Sequence, residues 1–414
     1  MRKQALASLE RDLKTFLDRT TAGMGRSERR HWAECYLRGL LLDGERKSVE
    51  PMAQRLNADV QGLQQFVGQS PWSAEQLLRA LNAVAREELV PARYWVIDET
   101  SFPKQGKQSV GVARQYCGTL GKIANCQVAV SLHWSDAEVS WPMGWKLYLP
   151  PQWVEDAGLR RKAGIPKEID YRSKPDLALE LIGMALEQGH EAATILADQL
   201  YGNGFAWRAA LQAQNLSYCV AVEADTGVWP HTVKMQPSGQ GRPRKLPPRE
   251  DIISLRERAR RADGQSWSKL VWREGTKGPQ ESRFFFTAVW AANRAGRNSR
   301  IARWTEYALI EWPANAPEPT KYWLCWWKDR IPTLLELVQT AKSRWRVEMD
   351  YRELKEELGL DHFEGRGWTG WHHHAALVTM AYIFLRLQQH DSKKNFARHV
   401  ADGSSPSHSA TDPA

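Results

Sequence analysis

Two short apolar, β-branched runs in this chain each end on an acid: YWVIDET at 94–100 and ATILAD at 193–198. Runs of that length and composition read as buried strands. After the KQGK turn, SVGVARQYCG and KIANCQVAVSLHW extend the first into a meander of three antiparallel strands. A helix at 175–188 with Leu177, Leu181, Ile182 and Leu186 on one face, a helix over FAWRAALQAQ and a strand over SYCVAVEAD follow. Strands first, then strands alternating with helices, predict an α/β fold: a mixed sheet with helices packed on it.

The flanks differ in texture. Residues 1–90 read as helical, and the segments SVEPMAQRL and VQGLQQFV are separated only by Asn57, Ala58 and Asp59. That is the outline of a helix-turn-helix whose second helix would enter a major groove, and equally the outline of a small helical bundle. From 226 to 318 the chain is Pro/Gly/Arg-rich (QPSGQGRPRKLPPRE), then basic (RERARR), then rich in Trp-bearing strand candidates. The pattern predicts a β-rich basic segment at 226–318 between one part of the chain at 91–225 and another at 319–390. The second part holds a strand, KYWLCWW, one long helix at 331–358 and a final apolar helix at 373–389, before a disordered tail at 391–414.

Charge narrows the partner. The chain of 414 residues carries 57 Lys plus Arg against 48 Asp plus Glu, a net +9. Between Lys234 and Arg273 eleven cations face four acids, so most of the excess sits in this basic segment. A solvated loop and a phosphate-tracking surface both fit that excess. The five cysteines are scattered and never in a C-x-x-C arrangement, which excludes a zinc ribbon and fits a reducing cytoplasm. No secretory signal or bilayer-length apolar run is expected, and no membrane role.

Three carboxylates stand out as chemistry. Asp98 closes WVID and Asp198 closes ILAD, each expected at a strand's end, where a carboxylate points into the crevice at the sheet edge. A turn former or helix cap would look the same at either place. The third is Glu348 in RWRVEMDYRELKEELGL, with Arg344 four residues before it and Lys355 seven after. Those eleven residues make about three helical turns, so all three share a face. A carboxylate between two cations suits a divalent ion flanked by phosphates, and a surface helix of i,i+4 ion pairs suits the same pattern. Asp350, Glu353 and Asp361 are weaker third ligands, because Asp350 and Glu353 lie off that stripe. His372, His373 and His374 point in different directions on a helix and are assigned to packing or phosphate contacts rather than to a metal. Lys104 and Lys107 at the first hairpin turn, and Arg366 and Trp368 after the Glu-bearing helix, are candidate DNA contacts.

VIDETSFPKQGKQSVGVARQYCG, LADQLYGNGFAW and RWRVEMDYRELKEELGLDHFEGRGWTGWHHH, in that order over about residues 30–390, resemble the IS701-type family of DDE transposases. The resemblance implies an RNase H-like catalytic domain, split by the β insertion, with Asp98, Asp198 and Glu348 as catalytic and metal ligands. Arg344 and Lys355 match the Arg and Lys of a Tyr, Arg, Glu, Lys signature. Its Tyr position holds Ala341 here, which puts that residue's DNA contact in doubt. The resemblance further implies Mg²⁺ or Mn²⁺, two ions, double-stranded DNA as substrate, and a homodimer in the complex that pairs two transposon ends. The expected activity is cleavage at insertion-sequence ends and joining of the 3′ hydroxyls to target DNA. The alternatives are a stand-alone metal-dependent nuclease of the same fold, or a catalytically idle DNA-binding descendant.

Overall fold

The computed structural model describes residues 2–89, 92–136, 138–231, 247, 249–275, 278–292 and 304–401. Apolar spacing of three and four residues builds the first helices: α1 (Arg2–Thr20), α2 (Ser27–Leu41), α3 (Val49–Leu56), α4 (Val60–Gly68) and α5 (Ala74–Glu88). Asn57, in the left-handed region at φ 50, ends α3, and the Asp59 carboxylate accepts from the Gln61 and Gly62 amides to start α4. Leu63, Phe66 and Val67 of α4 and Leu77, Leu81 and Val84 of α5 face inward.

The strands are β1 (Tyr94–Pro103), β2 (Ala113–Cys117), β3 (Lys122–Ser135), β4 (Ser140–Leu147), β5 (Thr194–Ala197) and β6 (Tyr218–Val222). They are followed by β7 (Gly227–Pro230), β8 (Ile253–Ser254), β9 (Trp267–Gly275), β10 (Gly278–Ala291), β11 (Thr305–Trp312) and β12 (Lys321–Trp326). Among the described residues they form one sheet in the order β2-β3-β1-β5-β6-β12-β11-β10-β7-β8, with β4 also on β3 and β9 also on β10. β1 pairs antiparallel with β3, and β5 runs parallel to both β1 and β6. The expected meander is therefore rearranged: β3 lies between β1 and β2, and β4 is a strand that the periodicity did not indicate.

The remaining helices are α6 (Pro151–Glu155), α7 (Ala157–Ala163), α8 (Lys174–Glu187), α9 (Gln199–Gly202), α10 (Phe205–Ala213), α11 (Leu255–Arg260), α12 (Leu334–Lys342), α13 (Trp345–Glu356) and α14 (Trp368–Ala401). α9 lies so close to β6 that a Cβ on Gly202 would come 2.0 Å from the Ala221 carbonyl, so only glycine fits there. The single long helix expected at 331–358 is two helices. Ser343 turns its hydroxyl back onto the Gln339 carbonyl at 2.7 Å, and the amides of Ser343, Arg346 and Val347 bond to the third residue back. That tightening bends the chain between Lys342 and Trp345.

α14 runs to Ala401, well beyond the expected end near 389. It threads the N-terminal helices onto the sheet. Tyr36 Oη lies 2.8 Å from His374 Nδ1, and the His373 ring stacks on Trp72 at 3.6 Å, with its nitrogens 3.0 and 2.8 Å from the Val67 and Trp72 carbonyls. His373 and His374 are thus buried packing residues, and burial lowers the pKa of both. No helix among the described residues is long and apolar enough to cross a membrane.

The segment at 226–318 adds its strands to the same sheet, with β11 reaching β6 through β12. Its own small core holds Val228, Leu255, Phe285, Val289 and Ile310. Of its basic run, Lys234, Arg242, Arg244 and Lys245 lie outside the described residues, as do 402–414 of the tail. A buried ion pair ties β11 to the helices beside β5: Arg208 Nε donates to Glu306 Oε1 at 2.7 Å, and its Nη1 donates to the Gly202 carbonyl at 2.5 Å. Tyr218 Oη also donates to Glu306, at 2.6 Å. Removing one member leaves an uncompensated buried charge. Arg208→Ala should lower unfolding free energy by about 3–5 kcal/mol in denaturant titration. The double change Arg208→Met, Glu306→Leu should recover most of it.

Candidate active site

β1 and β5 share a register in which Tyr94 faces Thr194, Trp95 faces Ile195 and Val96 faces Leu196. Continued by two places, that register sets Asp98 beside Asp198 on the same face of adjacent parallel strands. Asp98 is not at its strand's end, as expected, but in the middle of β1, which stays paired with β3 as far as Pro103. The strand that ends is β5, at Ala197. β5 thus stops while β1 continues to Pro103, so Asp98 and Asp198 lie just past the paired stretch of the two strands.

Asp198 is also the N-cap of α9, its Oδ1 accepting from the Leu200 amide at 2.9 Å. The cap fixes the side chain just past the end of β5. Asp98 is only 7% exposed. Its Oδ1 accepts from the Glu99 amide at 2.8 Å, and its Oδ2 accepts from Arg344 Nη1 at 2.6 Å. The same guanidinium donates through Nη2 to Glu348 Oε1 at 3.0 Å. Arg344 therefore bridges the strand acid and the helix acid, while Glu348 itself stands with 63% of its side chain in solvent. Burial is the main force on Asp98 and pushes its pKa up to about 7; Arg344 opposes this, and the Asp198 charge adds to it. Desolvation outweighs even a close guanidinium here.

The other expected site residues are distributed around this cluster. Lys355 shares the α13 face with Glu348, but its Nζ donates to the Ser101 carbonyl at 3.0 Å and to Thr119 Oγ1 at 2.8 Å. Lys104 Nζ donates to the Phe363 carbonyl at 2.7 Å. Burial lowers the pKa of both lysines. Lys107 and Arg366 are exposed, and the Arg366 carbonyl accepts from the Val110 amide at 3.0 Å. Trp368 packs on His372, ring centroids 4.1 Å apart, and the neighbouring Trp371 is buried against Phe102. Asp350 is fully buried and accepts from Ser140 Oγ at 2.5 Å and Tyr382 Oη at 2.8 Å, with His133 Nδ1 at 2.9 Å. Glu353 pairs with Arg386 and Tyr382. Neither Asp350 nor Glu353 faces the crevice acids.

A brace on α12 and α13 carried no signal in the sequence. Lys342, at the end of α12, donates to Glu311 Oε1 and Oε2 at 2.6 and 2.5 Å and lies over Trp272 and Trp323 at 4.9 and 5.7 Å. Arg273 of β9 lies 4.6 Å over the ring of Trp345, the first residue of α13. The insert strands thus grip both sides of the bend that holds Arg344. Partners from strands about 19 to 72 positions away leave no periodic trace in the chain.

Among the described residues no three Asp, Glu, His or Cys side chains converge as ligands of one ion; Arg344 joins Asp98 to Glu348 instead. The donor set nonetheless suits a hard divalent cation, which binds carboxylate oxygens. Burial disfavours the charged form of Asp98, and such a cation beside it would stabilise that form.

Residues 19–279 match the family described as DDE superfamily endonuclease, a span that includes Asp98 and Asp198 and stops before Glu348. Over 331 residues, 78% of this chain and 74% of its relative, the sequence is 32% identical to a probable transposase for insertion sequence element IS701 from Microchaete diplosiphon. The chain belongs to the IS701-type family of DDE transposases. DDE superfamily nucleases use divalent metal ions.

The raised acid gives a pH signature. Between its ordinary value of 3.8 and about 7, folded Asp98 keeps a proton that the unfolded chain has released, so stability from this group is lost as pH rises through that window. In metal-free protein, Asp98→Asn should become more stable than the parent as pH rises from about 5 to about 8, by on the order of 1–3 kcal/mol. Thermal melting across that range reads the difference, and a difference that does not change with pH contradicts the assignment.

Proposed function

We propose that this chain is a DNA transposase of RNase H-like fold, which cuts phosphodiester bonds at insertion-sequence ends and joins the freed 3′ hydroxyls to target DNA. The observation that carries the reading is the strand register that, continued two places, sets Asp98 beside Asp198, with Glu348 tied to Asp98 through Arg344. The strand order β4-β3-β1-β5-β6, antiparallel in its first half and parallel in its second, supports the RNase H-like assignment. On this reading 91–225 and 319–390 form the catalytic domain, 226–318 its insertion, and 1–90 a DNA-binding region in which α4 offers Gln61, Gln64 and Gln65 to a groove.

Asp98, Asp198 and Glu348 would hold the metal, Mg²⁺ or Mn²⁺. Two such ions, when bound, supply activation of the attacking oxygen and stabilisation of the leaving one. Arg344 keeps the acids together in the DNA-free protein and presents a forked donor suited to a phosphate. Burial of Asp98 excludes water from one side of the site, and the Asp198 cap fixes a second carboxylate without a flexible stem. Lys107 and Arg366 are exposed cations for the DNA backbone. Lys355 and Lys104 act at shorter range, holding the ends of β1 and the loop after α13 in place beside it. Two ends held together call for two copies of the chain, a homodimer on DNA.

The test uses insertion-sequence ends incubated with protein and Mg²⁺ or Mn²⁺. Asp98→Asn, Asp198→Asn and Glu348→Gln should each reduce cleavage and strand joining by on the order of a thousandfold or more. All three should leave DNA affinity within about twofold at fixed salt, and affinity should fall steeply as salt rises. A fully active Glu348→Gln protein would overturn the assignment.

A further inference from the structure

The β2–β3 hairpin carries three large apolar side chains in solvent: Tyr116 at 60%, Leu120 at 46% and Ile123 at 61% exposure. Tyr116 lies opposite Ile123 and Arg114 opposite Asn125, so alternation puts these four on one face of the hairpin. The opposite face is anchored, with Cys117, Cys126 and Val128 in a small buried cluster. The turn is anchored as well. Thr119 Oγ1 donates to the Ser101 carbonyl and accepts from Lys355 Nζ, which links the hairpin to the helix that carries Glu348.

The charge carried by this stretch of chain has one sign. From Thr100 to Ser135 the chain contains Lys104, Lys107, Arg114 and Lys122 and no Asp or Glu. Lys107, Arg114 and Lys122 are exposed, and none forms an ion pair among the described residues. An anchored hairpin with unpaired cations around an exposed tyrosine and two aliphatic side chains is complementary to a polyanion that also offers apolar sugar and base surface. A protein surface would have to bring its own acids.

Geometry sets the place of contact. Asp98 faces Ser131 on β3, and Ile123 lies eight residues back along that strand. At about 3.3 Å per residue this is roughly 26 Å, or about eight base pairs of duplex at about 3.4 Å each. We propose that the β2–β3 hairpin is a second DNA contact, seating the duplex about eight base pairs from the cut. Arg114, on the face of Tyr116, and Lys122, at the hairpin's tip opposite Cys117, lie on phosphates to either side, and Tyr116, Leu120 and Ile123 lie against sugars and base edges. This rests on the transposase reading above.

The experiment is hydroxyl-radical footprinting and salt-dependent binding on insertion-sequence end DNA, using the full chain and two double variants. The wild-type protein should protect a patch about eight base pairs from the cut, and Arg114→Gln with Lys122→Gln should lose it and flatten the log–log salt slope by about 1.8. Tyr116→Ser with Ile123→Ser should weaken binding about tenfold and leave the slope unchanged. Wild-type footprint, affinity and slope in both variants would overturn the proposal. So would a change in the mass of the DNA-free protein in sedimentation, with DNA binding unaltered, since the face would then dock a second copy. Cleavage by the wild-type protein with indifferent variants removes the hairpin contact and leaves the transposase reading intact. A wild-type protein that shows the hairpin footprint but never cuts removes the catalytic reading and keeps the contact.

Discussion

Asp98 is an acid buried beside a second acid, and the cost of carrying its charge there is the constraint that its surroundings answer. The pairing of β1 with β5 ends at Val96 and Leu196, two places before Asp98 and Asp198, and so directs the two acids toward each other. Burial sets most of that cost, since Asp98 is nearly closed off from water and its pKa rises to about 7. Arg344 is the partial answer in the DNA-free chain: one guanidinium serves Asp98 and Glu348 together. A site of this kind is poised for added positive charge, which is what a divalent ion or a cation-bearing substrate complex provides.

Arg344 can do this only if the bend between α12 and α13 is held. The hydroxyl of Ser343 turns the helix, and the insert strands clamp both sides of the turn through Lys342 with Glu311 and through Arg273 with Trp345. The strands at 267–312 thereby brace the bend that holds Arg344. They continue the central sheet, and the buried pair of Arg208 and Glu306 fastens β11 to the helices next to β5. Movement of the insert would be felt at Arg344 through these contacts.

Much of this was legible in the chain. WVID and ILAD read as buried strands because apolar β-branched residues need no partner to reveal themselves, and both are strands. The Arg344, Glu348 and Lys355 stripe was visible from helical spacing alone. What spacing could not show was pairing. Whether a strand stops after an aspartate depends on its neighbours, so Asp98 proved to be mid-strand, and β5 is the strand that ends. β4 was missed for a related reason: SWPMGWKL contains a proline and a glycine and is admitted at the sheet's edge. The break at Ser343 comes from a side-chain hydrogen bond that hydrophobic periodicity does not register. Lys104 and Lys355 read as free cations, yet both ammonium groups are committed to carbonyl oxygens of the fold.

On the proposed function, Asp98, Asp198 and Glu348 form one cation site although 150 positions separate the last two. Replacing the divalent ion with Fe²⁺ and generating hydroxyl radicals at the bound iron maps that site directly, because the polypeptide is cut where it approaches the metal. Cuts should cluster near residues 98, 198 and 348 and all be suppressed by competing Mg²⁺. Cuts confined to one of the three segments, or clustered elsewhere in the chain, would contradict the single site.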